Sequence, residues 1–195
     1  PGSIPRLQEY VKSRTEPAER RRALDAVAFV TKIGWNGDVA GELTQLCAVL
    51  QLAKEDVLAS LDAIHDETGF VARTPRYYYV TPGIVAQICF QSAWDRWAKA
   101  DPAGFLSKLP PQLIDSFQKR AQEHGSEEVR RASGEFFRDW ASGVKAENLA
   151  DLPTTKRLTA LVETYPERYL PLLRDQIETA TLDELRRIDG GSYGG

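Results

Sequence analysis

The chain has 195 residues, 42% of them hydrophobic and 27% charged, with a formal net charge of −3. That is enough apolar material to bury a core in one large domain or two small ones, and it excludes a general electrostatic pull toward nucleic acid or anionic membrane. No apolar run approaches the roughly 18 residues needed to span a bilayer, and the N-terminus lacks the basic-then-apolar order of a secretion signal, so a cytoplasmic location without membrane contact is expected.

The chain lacks methionine altogether and starts Pro1-Gly2-Ser3, which reads as a cloning remnant. The ending Gly190-Gly191-Ser192-Tyr193-Gly194-Gly195 reads as a loop cut midway, so a piece of something longer is expected. Residues 1–15 are taken as tag remnant and linker. Pro17 suits a first helical turn, where its missing N–H is not needed, and Leu24, Val27, Ala28 and Val30 predict a helix running to Ile33. The turn residues Gly34-Trp35-Asn36-Gly37, with Asp38 as a capping residue, lead into a shorter helix on Val39, Leu43, Leu46, Cys47 and Leu50. After a polar break at Gln51 to Lys54, Val57, Leu58, Leu61 and Ile64 predict a third helix that Gly69 caps.

The pattern then changes period. Phe70 to Thr74 and Tyr77 to Thr81 are rich in aromatic and β-branched residues around Pro75-Arg76, which predicts two short strands and a turn. Three helices, a hairpin and a further helix follow the order of a winged helix-turn-helix, with Lys54 to Thr68 in the recognition-helix position and the hairpin as its wing. From Pro82 the signals are helical: Ile84, Val85, Ile88, Cys89 and Trp97 make one stripe, and Asp101-Pro102 caps the next helix. Further helices are predicted at Pro111 to His124, Glu127 to Ser142, Thr155 to Tyr165, Pro166 to Glu178 and Leu182 to Ile188, the last opened by the capping box Thr181-Leu182-Asp183-Glu184. The expected fold is mainly α: a winged-helix domain over residues 16–99, then a helical-repeat region over 100–195 cut short at its C-terminus.

Little here points to chemistry. GxxxxGK[ST], GxGxxG, HExxH and GxSxG patterns are absent. Cys47 and Cys89 lie in apolar stretches without paired spacing and are expected as reduced core residues. His65 and His124 fall at helix C-termini, where the protonated ring would meet the dipole favourably, and Asp66-Glu67 and Glu127-Glu128 read as solvated helix ends. No catalytic or metal residue is assigned.

DNA binding is the obvious guess for a winged helix. The would-be recognition helix argues against it, because Lys54 is outnumbered by Glu55, Asp56, Asp62, Asp66 and Glu67 before a row of phosphates. Arg73 and Arg76 with Tyr77 and Tyr79 are the candidate interaction surface of the wing. Arg20, Arg21 and Arg22 form the densest basic patch, read either as a solvated face or as a contact to an acidic neighbour or a nucleotide phosphate.

Several segments together resemble the region C-terminal to the NTPase core in prokaryotic STAND NTPases, relatives of the NACHT and NB-ARC proteins. They are Glu55 to Asp62, Gly69-Phe70-Val71, Tyr79-Val80-Thr81-Pro82, Asp101-Pro102 through Phe105-Leu106 to Leu109-Pro110, and Leu161 through Tyr165-Pro166-Glu167 to Leu173. The later segments are similar to the HEAT-like repeats of such proteins. The resemblance implies a non-catalytic regulatory segment that couples the nucleotide state of an upstream ATP- or ADP-binding core to recognition of a protein trigger, in signalling or antiviral defence. It implies that the parent is an ATPase and this chain alone is not an enzyme. It also sets Thr81, with Arg20 to Arg22, toward nucleotide, although Val80-Thr81-Pro82 stands where the NB-ARC branch carries Met-His-Asp. A DNA-binding transcriptional regulator is the alternative.

Overall fold

The structure is a computed structural model and describes residues 3–145, 148–149 and 151–183. The protein is mainly helical with one small sheet, and among the described residues no helix is long and apolar enough to cross a membrane. It divides into two compact units, residues 1–133 and 134–195, with the division inside one helix.

The first unit opens with α1 (Ser3–Arg14), where a tag remnant and linker were expected. It is held because Val11 is fully buried, Thr15 donates its hydroxyl to the Val11 carbonyl, and the Tyr10 ring meets Phe70 edge-on at 6.0 Å. Next comes α2 (Ala18–Ala28), shorter than its apolar periodicity predicts. Its continuation is diverted because Ile33–Gly34 forms β1, a strand that the turn-rich sequence around it conceals. Gly34 is required there: a Cβ would stand 2.5 Å from the Val39 carbonyl oxygen, backbone that cannot step aside. A 3₁₀ turn over Gly37–Val39 leads to α3 (Gly41–Leu50). Asp38 does not cap this helix; Asn36 accepts from the Gly37 N–H, and Asp38 is taken by Arg76.

α4 (Lys54–Thr68) ends at Gly69, whose positive φ of 70° suits a left-handed cap, and buries Val57, Leu61 and Ile64. β2 (Val71–Arg73) and β3 (Tyr77–Val80) follow as the hairpin. The sheet order is β1-β3-β2, all antiparallel, with Tyr78 opposite both Ile33 and Arg73. α5 (Gly83–Ala93) continues into a π-helical turn over Trp94–Ala98, closed by the Lys99 N–H on the Trp94 carbonyl at 2.9 Å.

The compact unit runs on past residue 99 through α6 (Pro102–Lys108) and α7 (Pro111–His124) to the start of α8 (Glu127–Ser142). Aromatic burial explains this. Phe29, just beyond α2, is fully buried and stacks on Phe105 of α6 at 5.0 Å, with Phe90 and Phe117 each 6.1 Å away. Arg120 of α7 also donates to the Val30 carbonyl from Nε and Nη2 at 3.2 and 3.0 Å, and Ser116 one turn earlier bonds Thr31.

In the second unit α9 (Leu152–Thr164) packs on α10 (Pro166–Thr179). Phe137, Ala141, Leu158, Leu161 and Tyr169 supply its interior, and the Tyr169 hydroxyl donates to the Gly134 carbonyl at 3.2 Å. Asp151 caps α9 through the Thr154 N–H, and Tyr165 separates the two helices because Pro166 forces a new start. The predicted helix Leu182 to Ile188 and its Glu184 lie mostly outside the described residues.

Candidate functional site

The basic patch on α2 leads to the site. Arg21 and Asp25 are four residues apart and share a face. Arg21 Nε donates to the Asp25 carboxylate at 2.7 Å, Ser92 of α5 donates its hydroxyl at 2.7 Å, and Arg96 of the π turn stands 3.5 Å away. Asp25 is completely buried, and that burial pushes its carboxyl pKa above the ordinary value even against the arginines and Ser92. Cys89 lies against the same carboxylate and is raised by burial first and Asp25 second; with Cys47, raised by burial to about 11, it is a free and inert thiol.

Above this cluster a cleft of about 890 Å³ opens among α1, α2 and α5. Lys12, Arg21, Arg22 and Arg96 line it together with Glu9, Glu16 and Asp95. A smaller cavity of about 260 Å³ adjoins it, sharing Arg22 and Arg96 and bounded by the Leu50-Gln51-Leu52 turn and Trp97. Arg22 is exposed and has no hydrogen-bond or ion-pair partner among the described residues. Arg20 is engaged elsewhere, its guanidinium bound two-pronged to Glu67 at the end of α4 (2.6 and 2.9 Å), which draws the Glu67 carboxyl pKa down. Thr81 is bound through its N–H to the Phe70 carbonyl and does not line the cleft. Of the four residues set toward nucleotide, the fold thus brings Arg21 and Arg22 together and leaves Arg20 and Thr81 apart from them.

The hairpin residues are held by carboxylates of their own chain. Arg73 Nη1 donates to Asp62 of α4 at 2.8 Å, and the buried Tyr78 hydroxyl donates to the same oxygen at 2.5 Å. Burial, the largest single influence, works to raise Asp62, but the hydrogen bonds from Tyr78 and Arg73 together with neighbouring positive charge, Arg73 foremost, outweigh it and its pKa is lowered; Tyr78 is raised to about 12, by burial first and Asp62 second. Arg76 grips both oxygens of Asp38 at 2.6 and 2.7 Å, and Lys32 lies 4.2 Å over the Tyr77 ring. Tyr79 is the ring left exposed.

The two histidines are held differently. The His65 Nδ1 lies 2.8 Å from the Val71 carbonyl oxygen, which can only accept, so the proton sits on Nδ1. His124, expected to favour its charged form at the end of α7, is shifted the other way: burial first and neighbouring Arg120 second lower its pKa. No group of three or more His, Cys, Asp or Glu that could hold a metal occurs among the described residues. Asp25, Ser92 and Arg96 were not singled out from sequence, and Asp62 was read only as one of the acids of the third helix; the four-residue spacing of Arg21 and Asp25 is the one signal that could have found Asp25. No protein-family model matches the chain, and neither does any curated protein or solved structure.

Proposed function

We propose that residues 16–99 are a winged helix used for protein contact, within a non-catalytic regulatory segment of a larger STAND-type NTPase whose upstream core binds ATP or ADP. Support for the winged helix comes from the element order α2-β1-α3-α4-β2-β3 and from β1 pairing on the free side of β3, which joins a three-helix core to a wing. The packed pair α9 and α10 is compatible with HEAT-like hairpins offering a surface to a protein trigger.

The observation that carries the reading is Asp62 holding both Arg73 and Tyr78. It fastens the wing onto α4 and takes up the arginine that a DNA-reading wing would turn to phosphate. The outward side of α4 keeps Glu55, Asp56 and Asp66 exposed, a surface suited to a basic patch on a neighbouring domain and repelled by DNA. The test is charge reversal, Glu55→Lys with Asp66→Lys, in the chain joined to its upstream core. ATP turnover by the parent is expected to change at least about fivefold, since lost docking of 1 kcal/mol or more shifts a two-state equilibrium by that factor. Unchanged turnover, or saturable binding of duplex DNA by the present chain at low salt, overturns the proposal.

A further inference from the structure

We propose that the small cavity between Arg22 and Arg96 is a receptor for the phosphoryl group of a small phosphate ester or polyphosphate, with the rest of the ligand lying in the adjoining cleft. The inference stands independently of any family reading. Its basis is the lining of the 260 Å³ cavity: Arg22, Leu50, Gln51, Leu52, Arg96 and Trp97 supply two guanidiniums, one amide and no carboxylate. Carboxylates flank it on both sides, Glu9, Glu16 and Asp95 in the large cleft and Glu19 with Asp56 in a third pocket that also reaches Arg22. The large cleft also holds Lys12 and Arg21 beside Arg22 and Arg96, so it tolerates the rest of an anionic ligand, while the third pocket sets Glu19 and Asp56 against Arg22 alone; the carboxylate-free cavity is where a dianion is drawn most strongly.

The two arginines are provided differently. Arg22 projects from α2 without a partner among the described residues, so its five donors are available. Arg96 is steadied from behind by Asp25 at 3.5 Å and lies 5.3 Å over the Trp97 ring, leaving the outer part of its fork free. Asp25 is held in turn by Arg21 and Ser92, so the support is buried and fixed before any ligand arrives. The π turn belongs to the argument as well. Both Arg96 and Trp97 belong to it, Arg96 standing 3.5 Å from Asp25 of α2 and Trp97 5.8 Å from the Phe29 ring just beyond α2, and such turns recur at functional sites. Guanidinium pairs match phosphate oxygens in forked hydrogen bonds, and the two volumes together suit a ligand of nucleotide size.

The test uses the whole chain and inorganic pyrophosphate as probe, followed by ¹⁵N-resolved NMR at constant ionic strength. Saturable shifts are expected at the Trp97 indole N–H and the Gln51 amide, with Trp35 and Trp140 unmoved. Arg22→Ala and Arg96→Gln should each weaken binding about tenfold or more, and Arg76→Ala should leave it unchanged. Arg22 is exposed, so its variant keeps the fold; an unaltered melting temperature verifies this. ATP or ADP binding more tightly than pyrophosphate, with added shifts at Ser92 and Gln91, would place the remainder in the large cleft as stated. Pyrophosphate shifts that do not saturate, or that survive Arg22→Ala unchanged, overturn the proposal; so does nucleotide binding no tighter than pyrophosphate, as regards the cleft.

Discussion

Arg120 reaches across from α7 to the end of α2 and donates both Nε and Nη2 to the Val30 carbonyl, with a third bond from Nη2 to the Thr31 carbonyl at 3.1 Å. These carbonyls follow the last turn of α2 and have no helical partner, and Arg120 is 5% exposed, so water cannot substitute. Arg120→Met keeps the stem volume and leaves them orphaned. We expect a loss of about 2–4 kcal/mol in urea-induced unfolding, from charged hydrogen bonds and the stranded acceptors. Lysine should recover little, because one ammonium cannot reproduce the fork. A loss below about 0.5 kcal/mol would mean that α7 is not integral to the first unit.

Gly34 gives a second test of that unit. Alanine there meets the Val39 backbone at 2.5 Å and disturbs the β1 pairing that positions Tyr78. A loss of about 2–3 kcal/mol is expected, as for overpacking that only backbone movement can relieve. Gly41→Ala, where nothing stands within 4 Å, should stay within about 0.5 kcal/mol, and equal effects at the two positions would contradict the packing around β1.

Two buried or half-buried aspartates should respond to pH with opposite signs. Asp62 titrates below its ordinary value in the folded state, so its contribution is present above that value and is lost as pH falls through the folded one. Asp25 titrates above its ordinary value. Between the two values the folded state holds the extra proton, so stability declines as pH rises through that window. Asp25→Asn should accordingly be at least as stable as the parent at neutral pH, the difference closing toward acid. Asp62→Asn should be less stable at neutral pH by about 0.5–1 kcal/mol, a partly solvated pair being screened, and converge in acid as well. Thermal melts from pH 3 to 7 decide it, and a neutral-pH deficit in Asp25→Asn would reverse our ordering of burial over partners.

The helices were legible wherever periodicity and punctuation agreed. Pro111 to His124, Glu127 to Ser142 and Lys54 to Gly69 fall where apolar spacing, Pro111 and the caps put them. β1 was not legible, because two residues carry no period and their pairing with Tyr77 and Tyr78 is set by chain more than forty positions away. The site was legible only as a basic patch. That Arg20 turns to Glu67, Arg21 to Asp25 and Arg22 to the cleft and the cavity beside it follows from the helix rotation relative to α4 and α5, which adjacent letters in a sequence do not record.

Residues before Pro17 carry the last prediction, since composition alone sets them aside while the fold uses them. Val11 is fully buried, Arg14 donates to the Glu67 carbonyl at 3.3 Å, and Lys12 borders the cleft. Val11→Ala removes two buried methyl groups and should cost about 1–3 kcal/mol, whereas Ser13→Ala, exposed on the same helix, should be near neutral. Hydrogen exchange adds a second reading: amides of α1 should be protected in the parent and lose protection in Val11→Ala before α4 does, because among the described residues it is chiefly Val11, Tyr10 and Arg14 that hold the helix down. Unprotected α1 amides in the parent would return residues 1–15 to the role of a linker and remove one wall of the cleft.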